Sequence, residues 1–128
     1  MIYGVQGGDP ETLAEGCLED PEGCLEAIED ATTVSEDALN DFYSLVHDAE
    51  ERYLSKVGKW ENHHIIPQYL TNALNAAESP TVSIPAAYHQ LITTAWQQTI
   101  PYATKASQTW TDVSQAMVNI YSKLPLRW

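Results

Sequence analysis

The stretch NHHIIPQYL, residues 62–70, decides how this chain is read. Ile65 and Ile66 are β-branched, and Ile66 stands directly before Pro67, a position biased away from helix. An extended stretch over Asn62 to Ile66 is therefore expected. A short helix follows from about Gln68 to Ala77. Ser79-Pro80 breaks the chain, Thr81 to Ile84 reads as a second short strand, and Pro85 opens a helix to about Gln98. Pro101 closes that helix and leaves a loop to about Thr109. The order strand, strand, helix puts His63 and His64 on the first strand and His89 in the first turns of the helix, where it can point back at the pair.

Outward from this block the pattern is helical. The last helix is the clearest: Val113, Ala116, Met117, Ile120, Tyr121 and Leu124 recur at helical spacing until Pro125 stops them. Upstream, Asp9-Pro10 and Asp20-Pro21 each read as an N-cap followed by proline, predicting short helices to about Glu19 and Asp30. Thr33 and Glu36 fit a capping box. A long helix should follow on the face Leu39, Phe42, Val46, Ala49 and Tyr53, widened by Leu45, Leu54 and Val57 and ended by Gly58. The expected fold class is mainly α with a small ββα unit, hence α+β.

The chain has 128 residues, enough for one domain with a real core, and 44% hydrophobic residues is ordinary for a globular protein. No apolar run reaches the roughly 20 residues of a membrane span. The first residues, MIYGVQGGDPE, lack the basic and apolar segments of a secretory signal. Cys17 and Cys24 form no CxxC pair. In a helix through residues 10 to 30 they would share a face about 10 Å apart, too far for a disulfide without bending the chain, so both read as small buried hydrophobes.

Charge divides the molecule. Residues 1–51 hold fifteen of the eighteen acids and none of the six Lys and Arg, so the formal net charge of −12 averages two unlike halves. Arg52, Lys56, Lys59, Lys105, Lys123 and Arg127 face only Glu61, Glu78 and Asp112 in the remainder. The expected organisation is an acidic helical region over residues 1–50 and a second unit over 51–128.

His47, mid-helix among acids, reads as a hydrogen-bonded structural residue. His63-His64 is a poor choice for packing alone. Successive strand side chains point to opposite faces, so the two could not ligate one metal alike. A bulge or strand end would let one hold a cation while the other meets solvent and substrate. That division suits metal-assisted hydrolysis, because imidazole titrates near neutrality and can take a proton from water.

NHHIIPQYL, then VSIPAAYHQLITTAW (residues 82–96), resembles the nuclease domains of the HNH/endonuclease VII superfamily. More narrowly it resembles toxin modules at the C-termini of bacterial Rhs-repeat and other polymorphic toxin proteins, and AMVNIYSKLPL (residues 116–126) is similar to their closing helix. The likeness covers roughly residues 55 to 126. It implies an HNH-like ββα-metal nuclease domain over 51–128, a metal-dependent endonuclease with DNA the expected substrate and RNA the alternative. It implies His63 and His89 as metal ligands and His64 as the general base. Relatives often carry another His or Asn ligand four residues after the helix histidine. Here that residue is Thr93, so water, Asn62, Glu61 or Thr93 would complete the shell. Mg²⁺ or Mn²⁺ suits such a site at least as well as Zn²⁺. Asn62, Gln90 and Thr94 are candidate substrate contacts. Such a toxin would be made in the bacterial cytoplasm and delivered into a target cell. Its partners would be a cognate immunity protein and a parent polypeptide or delivery apparatus.

Trp60, Trp96 and Trp110 read as core before they read as aids to nucleic-acid binding. The acidic half reads as a solvated helical surface, with masking of the basic face or attachment to an adaptor as functional versions. The competing reading of the whole chain is a non-catalytic acidic helical interaction or adaptor module, and a third is a structural metal-binding domain.

Overall fold

An aspartate before a proline stops one helix and starts the next, and the bend this makes sets the N-terminal arrangement. The computed structural model describes the backbone of residues 10–126 and side chains from Leu13 onward. Helix α1 spans Pro10–Gly16 and α2 spans Pro21–Ala31, with the Asp20 carboxylate accepting from the Glu22 amide. The Asp9 cap lies outside the described residues. The turn between the helices brings the Cα atoms of Cys17 and Cys24 to 4.5 Å, and the two form a disulfide. The separation expected from the sequence assumed one continuous helix. The bend at Asp20-Pro21 removes that premise, and the expectation of free thiols is corrected.

The long helix expected from Thr33 is likewise two pieces, α3 (Glu36–Asn40) and α4 (Phe42–Arg52). Ser35 rather than Thr33 caps the first, its hydroxyl accepting from the Ala38 amide at 2.9 Å. Asp41 sits at φ −95°, ψ 13°, in the bridge region between helix and extended backbone. The break at Asp41 accompanies burial of Phe42, whose ring meets Tyr88 edge-on at 5.4 Å, while Leu39 stays exposed. After Arg52 the chain leaves the α-helix for a 3₁₀ turn at Leu54–Lys56. Leu54 and Val57 therefore do not continue the buried face and are exposed. Gly58 has φ +76°, a conformation costly for any residue with a Cβ, and its amide donates to Glu50 Oε2 at 3.0 Å.

Strands β1 (Trp60–His64) and β2 (Thr81–Pro85) form an antiparallel pair with His63 opposite Val82 and Glu61 opposite Ile84. Just beyond it the Ile65 amide donates to the Pro80 carbonyl at 3.0 Å, and the buried Ser79 hydroxyl bonds the Ile66 amide and carbonyl. Those bonds pin the turn into α5 (Gln68–Ala73). The final helices are α6 (Ala86–Thr99) and α7 (Trp110–Lys123), separated by a 3₁₀ segment at Tyr102–Ser107. Thr109 and Asp112 make the capping box of α7.

The molecule is thus mainly helical with one small antiparallel sheet. Leu13, Ala14, Cys17, Cys24, Ile28 and Phe42 from the acidic half join Ile65, Tyr88, Trp96, Met117 and Tyr121 in one core. Helix α1 lies on α7, where the Ala14 amide donates to the buried Ser114 hydroxyl at 3.0 Å. Among the described residues no helix is long and apolar enough to cross a membrane.

Candidate active site

Strand alternation puts Glu61 and His63 on one face of β1, and that face turns toward α6. On α6, Tyr88, Ile92 and Trp96 form the buried stripe, while His89, Thr93 and Gln97 form the neighbouring stripe at the same four-residue spacing. The second stripe meets the first strand. The His63 and His89 rings lie 5.0 Å apart, edge to face at 63°.

His63 is buried, and its Nε2 is 2.9 Å from the Tyr121 hydroxyl. The phenol has one proton, which it gives to the Ile65 carbonyl at 2.5 Å. It also accepts from the Trp96 indole N–H at 3.2 Å. His63 Nε2 must therefore be the protonated nitrogen, and its Nδ1 keeps a lone pair. Burial, reinforced by the charges of His89 and His64, lowers the His63 pKa to about 3, so the ring is neutral at physiological pH. Burial also raises the Tyr121 hydroxyl far above its ordinary range, so it stays a phenol.

His89 is fixed from the other side. A carboxylate can only accept, so His89 Nδ1 donates to Glu61 Oε1 at 2.9 Å and leaves Nε2 as the open ring nitrogen. Glu61 is held below its ordinary pKa chiefly by that bond, against a smaller opposing effect of burial, with Lys56 3.7 Å away assisting. His64, at the end of β1, is half-buried, with its Nε2 3.8 Å from Glu78 Oε1. Glu78 is also hydrogen-bonded by Gln68.

His63, His64, His89 and Thr93 line one pocket of about 220 Å³, together with Gln68, Tyr69, Gln97 and Tyr102. Three other candidates do not line it. Asn62 is exposed on the opposite face of β1 from His63, and Gln90 and Thr94 each fall one residue beyond the α6 stripe that does. Among the described residues no group of three or more His, Cys, Asp or Glu side chains is arranged to hold a metal ion. The imidazoles that line the pocket are those of His63, His64 and His89, with Thr93 beside them.

Trp96 is fully buried and Trp110 packs against the core, as expected, but Trp60 is 61% exposed. The core expectation for Trp60 is corrected: it starts β1 with its side chain on the face turned away from the core. His47 makes an exposed pair with Glu51 at 3.0 Å, one turn on. In the sequence Tyr121 stands only on a core face, and no local signal gives a role to Tyr69, Glu78 or Tyr102. The four-residue step from His89 through Thr93 to Gln97 was the available signal for Gln97. Comparison with protein-family models, curated proteins and solved structures finds no match to this chain.

Proposed function

We propose that the chain is a metal-dependent endonuclease, hydrolysing phosphodiester bonds with β1, β2 and α6 serving as a ββα-metal unit. The observation that carries this reading is the His63–His89 pair. Each ring has one nitrogen tied to a partner, Tyr121 for one and Glu61 for the other, and each keeps the second nitrogen open. An outer partner fixing the tautomer and direction of each imidazole is the usual support of a metal ligand. With metal–nitrogen bonds of about 2.1 Å, two imidazoles sharing a cation have ring centres about 4.5–5.2 Å apart for angles between square and tetrahedral. The 5.0 Å separation lies in that range.

A bound divalent cation, Mg²⁺ or Mn²⁺ before Zn²⁺, would offset negative charge on the phosphate and leaving oxygen. His63 and His89 would hold it, with the Thr93 hydroxyl beside them. His64 is the base: half-exposed on the same pocket, it takes a proton from water, and Glu78 lies near enough to steady the resulting imidazolium. The substrate is read as DNA ahead of RNA, with an RNase as the alternative within this reading.

In the wider reading the chain is a toxin effector of bacterial competition, delivered into a target cell and neutralised in the producer by an immunity protein. The Cys17–Cys24 disulfide suits a chain that passes through an oxidising compartment. The test is digestion of supercoiled plasmid and of RNA by the purified protein with Mg²⁺, Mn²⁺, Zn²⁺ or EDTA, alongside His64→Ala. Metal-dependent nicking abolished by the substitution is expected. If folded protein cuts neither substrate with any metal, the reading fails. The exposed carboxylates of α2, α3 and α4 would then favour the acidic interaction module.

A further inference from the structure

We propose that the pocket beside His64 and His89 receives an unpaired nucleobase, making the substrate single-stranded or locally opened nucleic acid. This rests on the nuclease reading and narrows its substrate class. In the proposed function the scissile phosphate meets the cation at His63 and His89. Among the described residues no Lys or Arg lines the rest of the pocket, so it offers no second phosphate subsite. Lys56, the cation that reaches Glu61, is engaged there at 3.7 Å.

The walls suit a flat, neutral, hydrogen-bonding group instead. Tyr102 lines the pocket yet is 54% exposed. Its ring rests 4.4 Å from that of Tyr69, and its hydroxyl accepts from the Gln97 amide at 2.9 Å. Tyr69 is itself anchored, donating to the Ile100 carbonyl at 2.7 Å at the end of α6. The aromatic wall is therefore held in place before any ligand arrives. Beside it, the Thr93 hydroxyl and the Gln97 carbonyl oxygen can read the edge of a base.

Net charge points the same way. Fifteen of the eighteen acids lie in residues 1–51, and the remainder sets six Lys and Arg against three acids, a small excess that limits counterion release and leaves room for stacking. Stacking on an exposed tyrosine supplies attraction without positive charge.

The experiment is fluorescence anisotropy with the full chain in EDTA and a labelled 12-nucleotide DNA strand. The same strand with abasic sites and the corresponding duplex are the comparisons. The intact strand should bind at least about tenfold tighter than either comparison. Tyr102→Ala should erase that preference, Tyr102→Phe should retain it, and circular dichroism confirms that both variants fold. Equal binding of intact and abasic strands, or a preference that survives Tyr102→Ala, overturns the proposal, as does no binding at all. Cleavage of duplex plasmid blocked by His64→Ala but indifferent to Tyr102→Ala would remove the base pocket and leave the nuclease. Tyr102-dependent strand binding without cleavage would support the pocket and remove the nuclease.

Discussion

His63 and Tyr121 stand 58 residues apart and meet at 2.9 Å in the interior, where the tyrosine hydroxyl fixes which nitrogen of the histidine carries its proton. The same hydroxyl takes the Trp96 N–H and gives its proton to the Ile65 carbonyl. One oxygen thus joins β1, α6 and α7 behind the imidazole pair. Tyr121→Phe removes it and leaves the two N–H donors unmatched in the core. Stability should fall by about 1–3 kcal/mol. Mn²⁺ affinity, read by isothermal titration calorimetry, should fall about 10–100-fold because the His63 tautomer is no longer set. Thr109→Ala is the control: it removes the capping bond to the Asp112 amide at the opposite end of α7 from Tyr121, and should lower stability while leaving Mn²⁺ affinity unchanged.

Burial of neutral His63 makes stability depend on pH with a definite sign. Its pKa is about 3 in the folded chain against an ordinary value of 6.5, so below pH 6.5 the unfolded chain binds the proton more readily. Stability contributed by the neutral ring is complete above pH 6.5 and declines as pH falls toward 3, by up to about 1.4 kcal/mol per pH unit. Glu61, held below its ordinary 4.5, loses its own contribution only at lower pH, so the interval from 6.5 to 5 isolates the histidine. Urea denaturation at pH 7, 6 and 5 should show the decline, and His63→Gln should flatten it. A flat wild-type profile would mean that the ring is not held neutral.

What could be read from the sequence and what could not divide along the range of the interaction. The second strand, α6 and α7 follow from local signals, Pro85 opening a helix and apolar spacing from Val113 to Leu124. Strand β1, by contrast, runs Trp60–His64 and ends before the β-branched pair that suggests a strand over Asn62 to Ile66. The meeting of His63 with His89 followed from topology, since a strand and the helix after its neighbour are adjacent in space. Tyr121 was visible only as an apolar position, because its hydroxyl acquires a role only when β1 and α6 close around it. Tyr102 lay in a stretch read as loop, and nothing local ties it to Tyr69, 33 positions earlier. The disulfide was missed for the opposite reason. Both N-cap signals are legible, and the spacing of about 10 Å holds only along a continuous helix, which Asp20-Pro21 interrupts.

The Cys17–Cys24 bond closes a short loop between α1 and α2, and α1 is the helix lying on α7. Breaking it frees the unfolded chain and loosens the hold on α1. Cys17→Ser with Cys24→Ser, or reduction by dithiothreitol, should lower stability by about 2–3 kcal/mol. Thermal melts with and without reductant measure this, and reductant should not change the melt of the double variant.

Glu61 separates the support of a ligand from the support of the fold. Its carboxylate bonds His89 at the surface, where an ion pair contributes about 0–1 kcal/mol to stability. The bond nevertheless orients the imidazole and commits Nδ1 to donation. Glu61→Ala should therefore leave the denaturation midpoint nearly unchanged while weakening Mn²⁺ binding about 10–100-fold. Glu61→Gln keeps an acceptor for Nδ1–H without the charge and should fall between the two. Calorimetric titration of the three proteins, beside their urea curves, decides it. Equal Mn²⁺ affinities in all three would show that His89 needs no partner to serve as a ligand, or does not serve as one.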